Sequence, residues 1–256
     1  MYVDLSQALV FMLVMFRMVG LLVTNPIFGR TNIPIRVNAG LSFVLAVLVT
    51  TSVTFDIPPE PDFLELAVMC FKEFAVGMVA SLVLRLFLSI FVIGGEVVDM
   101  QIGIGMSKVF DPGTNTSISL SSTWFNNMFI LIFFATNNHL TFFRMAAGTF
   151  RIIPLGMYNF NWHFTGYLPE YFTTIMLFAL KLCLPVVVTE TIVSIAVGLI
   201  MKMVPSINVF IINIQFKLVI GMLVLVVMVV PFMNYFENLI IFCFEQISYV
   251  WNNMAV

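Results

Sequence analysis

Residues 221–230 read GMLVLVVMVV and residues 43–49 read FVLAVLV. Neither run alternates polar with apolar positions, so neither suits a strand of a membrane barrel, whose two faces meet lipid and lumen in turn. In hydrocarbon every backbone N–H and C=O must find a partner inside its own helix or in a closed sheet. Without alternation the helix remains, and these runs predict an all-α integral membrane protein.

The rest of the chain agrees. Of its 256 residues 61% are hydrophobic and 9% charged, against roughly 45–50% and about 25% in soluble domains. A formal net charge of −2 leaves neither a basic footprint for nucleic acid nor an acidic tail. Cys70, Cys183 and Cys243 each lie in apolar runs without CxxC spacing, which predicts packing rather than disulfides or a metal site. The opening MYVDLSQALVFMLVMF carries Asp4 and no early Lys or Arg, so its apolar stretch is expected to stay as a membrane segment rather than a cleaved signal.

Crossing a hydrocarbon layer of about 30 Å takes around 20 helical residues. Six hydrophobic segments meet or approach that length: 5–24, 37–55, 74–93, 118–143, 172–201 and 218–236. The connections between them are short, which predicts a single membrane domain over 1–256, and no repeat of fixed period is visible. Positive charges orient the segments poorly. Arg30 and Arg36 favour a cytoplasmic first connection and DIPPEPDFLE (56–65) suits the other side, but the connection 144–170 then lands outside with two arginines. Some segments are therefore expected to be re-entrant or packed only on protein.

An ionisable group at mid-bilayer costs around 3 kcal/mol on insertion scales and usually faces protein or water. Arg17, Arg85, Lys181 and Glu190 are thus expected to face inward. For Arg17 and Arg85 the plainer role is structural pairing or snorkelling. Glu190 follows Pro185, a pairing that suggests a broken helix lining a cavity, with a proton relay as the functional alternative. Catalytic constellations are thin: His139 and His163 are the two histidines, with no HExxH, no GxSxG and no Cys/His pair. No enzyme activity, catalytic residue, metal or cofactor is expected.

One stretch departs from the apolar pattern. Residues 94–117 read GGEVVDMQIGIGMSKVFDPGTNTS. A dinucleotide fingerprint would need a third glycine where Lys108 stands, and a phosphate loop would need Ser or Thr where Val109 stands. Read instead as helix breakers, Gly94 and Gly95, then Gly103 and Gly105, then Pro112 and Gly113 predict an irregular re-entrant loop near 94–122. At membrane depth such backbone survives only against protein or water, so this segment, followed by TNTSISLSS, reads as the lining or plug of a passage. An ordinary surface loop is the plainer alternative.

GEVVDMQIGIGMSKVFDP resembles the FliR family of flagellar type III secretion export-gate proteins, which are related to the SctT proteins of virulence secretion. Three further stretches carry the same resemblance in order: NPIFGRTNIPIRVNAGL (25–41), NNHLTFFRMAAGTFRIIPLG (137–156) and MVPSINVFIINIQFKLVIGMLVL (203–225). The His-Leu, Thr-Phe and Pro-Leu-Gly elements look more like the flagellar branch. The resemblance implies a core export-gate subunit in the bacterial inner (cytoplasmic) membrane at the flagellar basal body. Its implied partners are FliP-like and FliQ-like membrane subunits, an FlhB-like export protein, unfolded flagellar export substrates and membrane lipid. It also implies helical hairpins raised partly out of the bilayer.

On the same resemblance, the loop around 106–122 matches the family's central plug. Gly103, Gly105, Met106, Phe110, Asp111 and Pro112 are then the gating-loop residues, with Met106 and Phe110 as pliable and bulky seals. Lys108, and Asn213 with Gln215, depart from the family pattern. A secondary transporter of a small solute, or a purely structural scaffold of a membrane complex, are the competing classes; a transporter would usually show an internal repeat.

Overall fold

The computed structural model describes residues 5–30, 33–52, 61–104, 119–156, 166–203 and 209–254. Among these residues there are helices and no strands: α1 (Leu5–Val23), α2 (Ile35–Ser52), α3 (Phe63–Ile102), α4 (Leu120–Ala135), α5 (Asn138–Ile152), α6 (Leu168–Met203), α7 (Val209–Val227) and α8 (Val229–Met254). The chain is all-α, as its unalternating apolar runs require. Among the described residues three helices are long and apolar enough to cross a membrane, Ser6–Val23, Phe63–Ile102 and Leu168–Ile200, and Asn213–Val227 with Val229–Met254, bent by 58° at their break, counts as a fourth only if the pair is one broken span rather than a re-entrant loop.

The helices differ from the apolar runs in instructive ways. The run 74–93 is the middle of α3, which has 40 residues. At about 1.5 Å per residue that is roughly 60 Å, twice the hydrocarbon thickness. Its first turn is set by Asp62, whose Oδ1 accepts from the Phe63 N–H at 2.9 Å while Glu65 Oε2 accepts from the Asp62 N–H at 3.4 Å. These two contacts satisfy N–H groups at the helix start, which lies well before the apolar run begins. The run 118–143 is divided between α4 and α5, because Asn137 takes a left-handed conformation at φ 58°. Asparagine tolerates that conformation better than most residues.

The last run is also interrupted. Pro231 lacks the N–H that would bond the Val227 carbonyl, and the chain turns at Met228 between α7 and α8. Conversely, Pro185 does not break α6, which runs through it for 36 residues. The broken helix expected before Glu190 is therefore absent. Gly94 and Gly95 do not interrupt α3 either. The irregular segment expected over 94–122 narrows accordingly, since 94–102 and 120–122 are helical.

Contacts divide the chain into two compact units. The first comprises Met1–Phe87, Thr136–Glu170 and Ile240–Val256. Here α1 and α3 interlock through glycine: a Cβ on Gly20 would strike the Phe74 backbone, and one on Gly77 the Arg17 and Leu21 backbones. Small residues let membrane helices approach closely, and two facing notches fix the register. Ser81 donates to the Leu21 carbonyl at 2.7 Å beside this seam. Met18, Leu21, Val76, Ala146 and Trp251 close around a void of only about 10 Å³, at the lower limit for one water. Tyr167, just ahead of α6, donates to Gln246 Oε1. Burial above all, then Glu170 and Tyr249, pushes its phenol above the usual range, so it stays a donor at neutral pH.

The second unit comprises Leu88–Ala135 and Tyr171–Leu239. Its centre is aromatic. Phe91 of α3 lies 4.9 Å from both Phe129 of α4 and Phe236 of α8, the latter edge-on, and Phe125 meets Phe232 edge-on at 5.3 Å. Such offset and edge geometries are the favoured ones for ring pairs. Tyr235 of α8 donates to the Phe178 carbonyl of α6 at 3.0 Å. Cys183 in this unit, and Cys70 and Cys243 in the first, are free and buried, packing as small apolar groups.

Candidate functional site

The segment that carries the gating-loop expectation has a built base. Helix α3 ends at Gly103, which adopts φ 91° and donates its N–H to the Asp99 carbonyl at 3.1 Å. Glycine past the last helical residue is the usual helix stop because it alone takes this conformation without strain. One turn back, the Asp99 side chain is buried and fully used. Its Oδ2 accepts from the Ser119 hydroxyl at 2.6 Å and the Leu120 N–H at 2.7 Å; its Oδ1 accepts from the Ser121 N–H at 3.1 Å.

Ser119 in turn caps α4, accepting the Ser122 N–H at 3.1 Å. The carboxylate therefore sits at the N-terminus of α4, satisfying donors the helix leaves unpaired and facing its positive end. A second link reinforces the first. Ser122 donates its hydroxyl to the Val92 carbonyl at 2.8 Å, and Gly95 makes room for the Ser122 backbone where any Cβ would collide. Gly95 is thus a packing notch, and both ends of the chain between Ile104 and Ser119 are held together at one point.

Of the expected gating residues, Gly103 stands at this base. Gly105, Met106, Phe110, Asp111 and Pro112 lie outside the described residues. Asp99 and Ser119 escaped the sequence reading, although a serine immediately before an apolar run is a helix-start signal.

The expected intramembrane charges take different places. Arg17 is 2% exposed and fully engaged. It donates from Nε to Glu73 Oε2 at 2.6 Å, from Nη1 to Thr149 Oγ1 at 3.3 Å and from Nη2 to the Ile153 carbonyl at 3.0 Å, with its guanidinium 4.1 Å from the Phe150 ring centre. Glu73 Oε1 accepts from the Gly156 N–H at 3.0 Å. This network joins α1, α3 and the end of α5 into one structural node. Glu73, the partner that makes it possible, was not singled out from the sequence.

Arg85 and Lys181 are both exposed on the surface of the chain. Arg85 reaches the Thr24 carbonyl at 3.3 Å, and the Lys181 ammonium lies 5.5 Å from the Phe178 ring. Their long side chains cover apolar surface while the charge stays outside. Glu190 is 0% exposed, and among the described residues neither carboxylate oxygen has a hydrogen-bond partner. It fills the notch at Gly221 of α7, where a Cβ would stand 2.9 Å from its Oε1. Lys217, one turn earlier on α7, is the opposite charge that acts on it.

Comparison with known proteins gives a consistent answer. The family described as bacterial export proteins, family 1, matches residues 8–242. The flagellar biosynthetic protein FliR of Bacillus subtilis is 28% identical over 229 residues, 88% of this chain and 87% of the relative. That of Aquifex aeolicus is 26% identical over 227 residues, covering 87% and 88%, and that of Escherichia coli 23% over 221, covering 85% and 84%. A match running from the first turn of α1 into α8 leaves no large part of the chain outside it, and the chain belongs to the bacterial export proteins, family 1, together with the flagellar FliR proteins it is similar to.

Proposed function

We propose that this chain is a core membrane subunit of a flagellar type III protein export gate, and that the segment between Gly103 and Ser119 helps close the passage when no substrate occupies it. The observation that carries the closing role is the clamp at Asp99, which ties together residues 20 to 22 positions apart. A buried carboxylate that holds the two ends of the segment together keeps its base fixed. Met106 and Phe110 supply the flexible and the bulky apolar side chains such a seal needs. Family membership and the names of the relatives support the flagellar export reading. The 60 Å reach of α3, estimated from its 40 residues, suits an assembly that extends beyond one bilayer.

In this reading the chain sits in the bacterial inner membrane with FliP-like, FliQ-like and FlhB-like subunits, and unfolded flagellar subunits are the cargo. Expressed with its neighbours and purified in mild detergent, it is expected to co-isolate with two smaller membrane proteins in a fixed ratio. Cells lacking it should be non-motile and regain motility with the intact gene. A monomer that takes up a small solute by itself, or motile deletion cells, would reject the assignment.

A further inference from the structure

In the first unit an open groove of about 320 Å³ runs between α2 and α5, with Met18 of α1 at its floor. Leu45, Leu48 and Val49 form one wall, Leu140, Phe143 and Ala147 the other, and Arg144 stands at the rim. The size falls within the roughly 300–1,000 Å³ common for ligand pockets. Leu48 is 55% exposed and Leu140 45%, so the walls are apolar surface that some apolar occupant must cover.

The charge at the rim narrows the choice. Helix α5 carries Arg144 and Arg151 and no acidic residue. Arg144 is exposed, and among the described residues it forms no ion pair. An apolar helix seated here would cover the leucines yet leave the guanidinium without a counter-charge. A phospholipid has the required pattern in one molecule, an acyl chain next to a phosphate, and guanidinium binds phosphate through paired N–H donors.

We propose that this groove binds one anionic phospholipid, its acyl chain against Leu45, Leu48, Leu140 and Phe143 and its headgroup phosphate on Arg144. The site is independent of the closing role given to the segment after Gly103, so either can fail alone.

The test is native mass spectrometry of the delipidated full-length chain titrated with phosphatidylglycerol or with phosphatidylcholine. One saturable phosphatidylglycerol adduct is expected, retained about fivefold better than phosphatidylcholine, the factor a single arginine contributes at an anionic headgroup. Arg144→Gln should remove that preference, and Ala147→Trp, which fills the groove, should remove the adduct. Arg151→Gln, on the same helix but outside the groove, should leave it unchanged. Equal retention of the two lipids, an unaffected Arg144→Gln variant, or equal loss in Arg151→Gln would each overturn the proposal. So would a result in which Arg144→Gln and Ala147→Trp weaken co-isolation of partner subunits but leave lipid retention intact, since the groove would then seat a partner helix.

Discussion

Replacing Glu73 with alanine is expected to destabilise the first unit by about 3–5 kcal/mol, the usual cost of leaving one member of a buried ion pair without the other. Arg17 has its Nε on Glu73 and is 2% exposed, so the guanidinium has no route to water after the change. The Gly156 N–H loses its acceptor in the same step. Thr149 and the Ile153 carbonyl would still hold the two Nη groups, but neither carries a compensating charge. Arg17→Met combined with Glu73→Leu should recover much of the loss, because two apolar groups of similar volume need no partner. The measurement is the thermal unfolding midpoint in detergent for the single and double variants. A Glu73→Ala midpoint equal to that of the intact chain would show that the pair is not a structural node.

The second large effect belongs to Asp99. Converting it to alanine leaves the Ser119 hydroxyl and the Leu120 and Ser121 amides without their acceptor. Charged hydrogen bonds of this kind contribute about 1.5–3 kcal/mol. The loss should fall locally on the first turn of α4, because the aromatic contacts of Phe125 and Phe129 lie farther along that helix. Hydrogen exchange at the Leu120 and Ser121 amides is therefore expected to accelerate by roughly 10- to 100-fold, the factor set by about 1.4 kcal/mol per decade. Asp99→Asn, which keeps an acceptor oxygen but not the charge, should fall between. Unchanged exchange in Asp99→Ala would remove the clamp from the explanation.

The membrane class and the helices were legible because apolar composition and the absence of alternation leave little else. Helix ends were harder to read. Glu65, Lys72 and Glu73 bound the apolar run 74–93 on its N-terminal side yet lie inside α3, where Glu65 accepts from the Asp62 N–H and Glu73 pairs with Arg17. Gly94 and Gly95 looked like breakers because glycine has weak helix propensity. Inside a packed membrane helix they serve instead as notches, Gly94 within 2.9 Å of Leu182 if it bore a Cβ and Gly95 against Ser122.

Pro185 misled in the same way, because α6 absorbs it without a break. The site was legible only as a segment. Its anchor joins positions about 20 apart and the structural node positions 56 and more apart, and such pairings have no local signature in a single sequence.

Closure of the passage is tested most directly by ion conductance. Vesicles holding the assembled complex would be compared with those holding a complex whose chain lacks residues 106–110. The expected result is normal assembly with a raised resting ion leak, because the seal is lost while the base at Asp99, Gly103 and Ser119 stays in place. An intact complex whose leak matches that of the undeleted chain would contradict the closing role of the segment.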